Sequence, residues 1–242
     1  MKTVSITMAL LAVLFLGIPI SCQKDNVDRF IISGKVIDKD SKNEISDIRI
    51  KVDGVTQFGF GRRVEVGHTF SEADGTFNLV FTGIEKAAFY DFFANRGSSD
   101  EYTEETDYHG AFYLDSITEN EIPMVFELTK IEELRINLRN TDPVNEKDYV
   151  RLYFYSDNMG FERVKSIENF GAENLKYEPP AFDGNTRLAW VGRNVTAVIN
   201  GTILVNEALS IIVTIRKNGK LTEVIKRING KRDKVNEIDI DY

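Results

Sequence analysis

The chain has 242 residues, with 30 Lys and Arg against 38 Asp and Glu, a formal net charge of −8 and a single Cys. That balance repels phosphate backbones and anionic headgroups, which argues against nucleic acid as a partner and against electrostatic attachment to a membrane. A lone thiol forms no intramolecular disulfide, so the folded body has to stand on its core without covalent staples.

At the N-terminus Lys2 is the only charge in the first 23 residues, and Met8 to Ile20 is apolar throughout. A short positive region followed by a short apolar core is the pattern of a secretory signal, and the core is too short to span a bilayer comfortably. Gly17 and Pro19 break the helix near its end and leave the next residues extended for a processing enzyme. Ser21-Cys22 closes the run, so Cys22 is read as modified and residues 1–21 as a leader, with a lipidated tether over 22–29. Loss of the leader removes Lys2 alone among the charges and leaves the body one unit more acidic.

The stretch Ile18-Pro19-Ile20-Ser21-Cys22 resembles the lipobox of bacterial lipoproteins, with Pro19 where Leu is usual. Gln23-Lys24-Asp25-Asn26 is similar to the surface-export signal of Bacteroidetes lipoproteins, or else is a plain polar tether. The resemblance implies a mature N-terminus at Cys22 carrying acyl chains such as palmitate, and a lipid-anchored place on the outer membrane, facing outwards. Each buried CH₂ contributes roughly 0.8 kcal/mol, so several chains hold a folded body firmly.

Downstream, the apolar runs are short, alternating and bounded by turn residues. Phe30–Ile37 reads as a strand and 38–43 as a polar turn; Ile45, Ile48, Ile50 and Val52 mark a second strand. Thr69–Ser71, Asp74-Gly75 and Thr76–Phe81 predict a hairpin, because Asp-Gly supplies the positive φ that tight hairpins need. Ala87–Ala94 and Ile122–Leu128 complete this first set. A second set follows at Leu134–Leu138, Tyr149–Tyr155, Arg187–Val191, Val195–Ile199 and Thr202–Val205. It ends with Leu209–Arg216, an Asn218-Gly219 turn, Leu221–Ile228 and Ile238–Tyr242. No segment keeps helical periodicity for three turns, so the expectation is all-β: two tandem β-sandwich domains over 30–129 and 131–242, joined by a short connection.

Ile32-Ser33-Gly34-Lys35-Val36-Ile37-Asp38, the strand from Ile45 to Val52, and Ser71-Glu72-Ala73-Asp74-Gly75-Thr76-Phe77 together resemble the carboxypeptidase regulatory-like domain. That family is a transthyretin-like β-sandwich. The resemblance spans 30–129 and implies a binding or structural accessory without peptidase activity. Residues 131–242 are similar only to a generic immunoglobulin- or fibronectin-like sandwich.

Little in the chain carries catalysis. His68 and His109 stand far apart without a partnering motif, so no metal site is expected and each reads as a solvated loop residue. Cys22 is committed to lipid, and neither a nucleophile elbow nor a phosphate loop occurs. Asp38-Lys39-Asp40 lacks the Gly and Glu of a calcium loop and reads as a turn. A glycosidase needs only two positioned carboxylates, which sequence spacing does not address. No cofactor is expected, and the chain is read as a non-enzyme.

Aromatic residues are the remaining candidates. Phe89 to Tyr113 interleaves rings with Asp100, Glu101, Glu104, Glu105 and Asp107. Either Phe89–Phe93 is a core strand and the rest packs a long loop, or Tyr102, Tyr108 and Tyr113 are exposed to stack on sugar rings. Trp190 poses the same choice between core and platform. Asp115-Ser116-Ile117 matches a short O-glycosylation signal of exported Bacteroidetes proteins. The functional expectation is a lipid-anchored envelope module that captures glycan or protein, with a structural accessory of an envelope complex or transporter as the alternative and a glycosidase third.

Overall fold

A computed structural model of the chain describes residues 29–56, 61–84, 87–107, 122–155, 164–170, 176–178 and 187–242. Every element among them is a strand. In chain order these are β1 (Arg29–Asp38), β2 (Arg49–Val55), β3 (Arg63–Phe70), β4 (Thr76–Thr82), β5 (Phe89–Ala94), β6 (Glu105–Asp107), β7 (Ile122–Leu128) and β8 (Ile131–Arg139). They continue with β9 (Tyr149–Tyr155), β10 (Val164–Phe170), β11 (Lys176–Glu178), β12 (Arg187–Val191), β13 (Thr196–Leu204), β14 (Ala208–Lys217), β15 (Lys220–Asn229) and β16 (Asn236–Asp241). The protein is all-β, as the alternating runs require.

The first seven strands form two sheets, ordered β4-β1-β7 and β3-β2-β5-β6. Period-two alternation decides what each buries: β4 turns Phe77, Leu79 and Phe81 inward, against Ile32, Ile50, Val52, Phe92 and Phe126 from the other strands. Phe30, Phe81 and Tyr90 add a ring cluster, with centroids 5.2 Å apart for Phe30–Phe81 and 5.3 Å for Phe81–Tyr90. The parallel pairing of β1 with β7 sets Gly34 opposite Met124. A Cβ on Gly34 would sit 2.0 Å from the Met124 carbonyl oxygen, so only glycine allows these backbones to approach.

A second pair of sheets, β10-β13-β8-β16 and β11-β12-β9-β14-β15, encloses a separate core. Its largest buried side chains include Trp190, Phe154, Ile136, Leu138, Leu152 and Leu188. As in the first sandwich, the opening strand pairs in parallel with the closing one, here β8 with β16. Asn218 and Gly219 both take positive φ, 49° and 75°, and join β14 to β15 in the expected two-residue turn.

Only Thr129 and Lys130 lie between β7 and β8, and backbone bonds grip this passage from both sides. The Thr103 N–H donates to Thr129 O at 2.9 Å, the Ile131 N–H to Glu101 O at 2.7 Å, and the Val205 N–H to Lys130 O at 3.0 Å. Nearby, Arg232 Nη2 reaches both oxygens of Asp38, at 2.7 and 2.8 Å, and Asn206 Nδ2 donates to Asp40 Oδ1. Asp38 Oδ1 also accepts from the N–H groups of Asp40 and Ser41, which is the turn expected of Asp38-Lys39-Asp40.

Two sequence expectations are corrected. The Asp74-Gly75 turn forms, with Gly75 at φ 74°, but β3 and β4 belong to different sheets and do not pair as a hairpin. Ser71 is the cause. Its N–H donates to Ile48 O, its hydroxyl donates to Ile45 O and accepts from the Ile48 N–H, and this fastens the end of β3 to the β2 side. The predicted strands Val195–Ile199 and Thr202–Val205 are one continuous strand, β13, because all nine of its residues pair with β8 through Asn200-Gly201. The irregularity falls instead on β10, whose register shifts between Val164 and Ser166, opposite Gly201 and Asn200.

Candidate functional site

Trp190 is 0 % exposed and lies in the second core, so its ring is a packing element and not a surface platform. The inward face of β12 carries it between Leu188 and the rest of that core. On β5, Tyr90 and Phe92 likewise belong to the first core. Tyr102 is half-buried against that core, and burial raises its phenol above the ordinary range. Tyr108, Tyr113, His109, Ser116 and Cys22 lie outside the described residues. His68 sits on β3 rather than in a loop, exposed, with Nδ1 2.8 Å from Glu65 Oε1.

The glycosidase alternative asked for two adjacent carboxylates, and one pair stands in register: Asp53 on β2 directly opposes Asp91 on β5. Both point away from the core yet are buried, and each faces a cation. Lys51 Nζ is 2.8 Å from Asp53 Oδ1, and Arg63 Nη1 is 2.6 Å from Asp91 Oδ2. Burial pushes the Asp91 carboxyl up, Arg63 pulls it down, and Asp53 pushes it up again. Beside them Glu65 joins Arg49 at 2.7 Å and Lys51 at 3.6 Å. These acids are closed in and neutralised within the sheet, whereas glycoside hydrolysis uses carboxylates that flank an open cleft. Among the described residues no group of three or more His, Cys, Asp or Glu could hold a metal ion.

The arrangement best suited to a ligand is the outward face of the five-stranded sheet. Along β9 the inward residues are Val150, Leu152 and Phe154, so Tyr149, Arg151, Tyr153 and Tyr155 must share the opposite face. Pairing then extends each position sideways. Tyr149 stands between Val191 and Arg216, with Leu221 beyond; Arg151 stands between Ala189 and Thr214, with Glu223 beyond. Tyr153 stands between Arg187 and Ile212, with Ile225 beyond, and Tyr155 is followed by Ser210 and Arg227.

Two guanidinium groups cover rings on this face: Arg187 lies 5.1 Å from the Tyr153 centroid and Arg216 lies 5.2 Å from that of Tyr149. Each is a cation–π contact that pins ring and cation together. Arg151 donates to Thr214 Oγ1 at 3.4 Å, while its buried Nε has no hydrogen-bond partner. Tyr155 is 49 % exposed. Over β9, β12, β14 and β15 the face therefore sets three tyrosines among four arginines and one glutamate, a cationic patch on a chain of charge −8. Reading the sequence alone missed it. The signal was present in Tyr149, Tyr153 and Tyr155 at even spacing on one strand, but Arg187 and Arg216 come from elsewhere in the chain and arrive only through pairing.

No known protein family and no curated protein matches the sequence. Among solved structures, a streptococcal ancillary pilin is 9 % identical, with 90 % of this chain and 63 % of that one covered, at a TM-score of 0.35. The Bacillus anthracis TIE protein is 11 % identical over 89 % of this chain, at a TM-score of 0.32. This chain spans 33 % of the length of that protein. The shaft pilin spaA from Lactobacillus rhamnosus GG is 8 % identical over 88 % of this chain and 97 % of that one, at a TM-score of 0.29.

Proposed function

We propose that the chain is a non-catalytic envelope module, anchored to the outer membrane by lipid on Cys22 and facing outwards, whose five-stranded sheet captures anionic glycan. The observation that carries the reading is the tyrosine–arginine face of β9, β12 and β14, where Arg187 and Arg216 stack on Tyr153 and Tyr149. Tyrosine presents an apolar ring on which a pyranose can lie and a hydroxyl that can bond to it. Guanidinium forks match the carboxylates or sulfates of an acidic sugar in a bidentate way. A sheet face suits an extended polymer better than a small molecule, which prefers a concave pocket.

The leader and Cys22 supply the anchor in this reading, and the first sandwich supplies a spacer of the carboxypeptidase regulatory-like kind. The close approach at Gly34 and the Asp74-Gly75 turn support that assignment. A division near Lys130 makes the two sandwiches separate domains.

Titration of the full chain with a polyuronate and with a neutral glucan is the test. Saturable binding of the acidic polymer, weakened by salt and lost in Tyr153→Ala and Arg187→Ala, is expected; equal or no binding of the two polymers rejects the reading. For the anchor, a radiolabelled fatty acid should mark the protein and fail to mark Cys22→Ala. A structural role is favoured by a different observation, the Asp38–Arg232 and Asn206–Asp40 contacts that lock the sandwiches together. It predicts an envelope protein that copurifies equally well with the Tyr153→Ala chain.

A further inference from the structure

Among the described residues β15 closes one side of the five-stranded sheet and pairs with β14 alone. It is ten residues long and its register with β14 is unbroken. Native sheets protect such edges by keeping them short, by bulges, by Pro, by charged side chains or by cover. Other edges in this molecule use those devices. β6 and β11 have three residues each, β10 carries a register shift, and β3 and β4 lie against each other. β15 has no Pro and no bulge, its charged residues Lys220, Glu223, Lys226 and Arg227 are of both signs, and it exposes Leu221 at 65 % and Ile225 at 51 %.

Its free backbone groups follow from the turn. The two-residue Asn218-Gly219 turn makes Lys217–Lys220 a hydrogen-bonded pair, so residues 220, 222, 224, 226 and 228 face β14. Residues 221, 223, 225, 227 and 229 then direct their N–H and C=O groups outward from the sheet. The same five side chains lie on the tyrosine–arginine face, as the pairing of Ile225 with Ile212 shows.

We infer that β15 pairs antiparallel with β15 of a second copy of this chain, Ile225 meeting Ile225 on the two-fold axis. Two identical strands joined in one sheet are related by an axis perpendicular to it, so each residue must oppose one of its own face. In this register Glu223 opposes Arg227 of the other copy, twice, and Leu221 opposes Asn229. The neighbouring registers are worse: one sets Glu223 against Glu223, another Lys226 against Lys226, and a third leaves Glu223 facing Ile225. On the inward side Val224 opposes Lys226, whose aliphatic stem can cover it. Five hydrogen-bonded pairs, about two bonds each, would join the copies. The outcome is one sheet of twice the width, with both tyrosine–arginine faces on the same side.

Sedimentation of the full chain in a density-matched detergent tests the assignment. Wild type is expected at twice the chain mass, and Glu223→Arg, which sets like charges opposite at both positions, should weaken self-association about tenfold or more. The double variant Glu223→Arg/Arg227→Glu should restore it. Ile225→Pro removes an N–H that points away from β14, so the chain should keep its fold by circular dichroism yet sediment as a monomer. A wild-type monomer at about 100 µM, or a double variant no better associated than the single one, overturns the proposal. Tyr153→Ala should leave the dimer intact, which separates this result from that of the glycan test.

Discussion

The contact between Asp38 and Arg232 should couple the two sandwiches energetically, and a double-mutant cycle can measure by how much. Asp38 is 1 % exposed, while the Arg232 side chain retains 27 % of its surface. Burial alone would raise the Asp38 carboxyl, but the Ser41 N–H, the Arg232 guanidinium and the Asp40 N–H together hold it below its ordinary value. Removing one partner of a buried pair costs roughly 3–5 kcal/mol, because the other charge is left without compensation. Here the backbone donors of Ser41 and Asp40 remain, and water reaches Arg232, so Arg232→Met should cost about 2–3 kcal/mol. Asp38→Asn should cost a similar amount through the weakened turn. The cycle Asp38→Asn, Arg232→Met and both together should return a coupling of about 1–2 kcal/mol in urea denaturation. Calorimetry should also show one transition in the wild type and two in Arg232→Met, since the sandwiches have separate cores. A coupling below about 0.5 kcal/mol with one undivided transition would refute the idea that this pair ties the sandwiches together.

Acid should unfold the chain through the same carboxylate and through Asp148, whose oxygens accept from the N–H groups of Val144 and Asn145 and from Asn140 Nδ2. For Asp148 burial raises the carboxyl, but these donors and Lys217 lower it further. Both folded values lie below the ordinary 3.8, so their contribution is complete above that pH and disappears as pH falls through the depressed values. Denaturation midpoints from pH 7 to 2 should show that loss, with a shallower slope in Asp148→Asn. Trp190→Ala should cost about 3–5 kcal/mol by opening a cavity. Trp190→Phe, which discards an indole N–H that is buried without a partner, should cost well under half of that in the same assay. Gly34→Ala should destabilise the first sandwich by about 2 kcal/mol or more, read as a lower midpoint, because the added methyl meets backbone rather than a movable side chain.

Local pattern made much of this architecture legible. The alternation in β4 and β9, the Asp74-Gly75 and Asn218-Gly219 turns and the short link at Lys130 are all written in consecutive residues, and β4 and β9 form where that writing places them, whereas β6, β10, β11 and most of β3 carried no such signal. What lay beyond reach was pairing between distant segments. Nothing in the residues near Thr76 says that β4 pairs with β1 and leaves β3 to another sheet, and nothing near Asp38 points to Arg232. The tyrosine–arginine face belongs to the same class, since a strand's own sequence decides which side chains share a face but not which strand lies beside it.

Pattern confined to one segment was therefore decided by the amino-acid order: the alternating runs, the tight turns between them, and the all-β character. Tertiary structure alone put Trp190 in the core, shut Asp53 and Asp91 against Lys51 and Arg63, and brought Arg187 and Arg216 onto the tyrosines. The reason is physical. Alternation and turn preference act over a few residues, whereas burial and charge pairing depend on which sheets meet, and that is settled only when the whole chain folds.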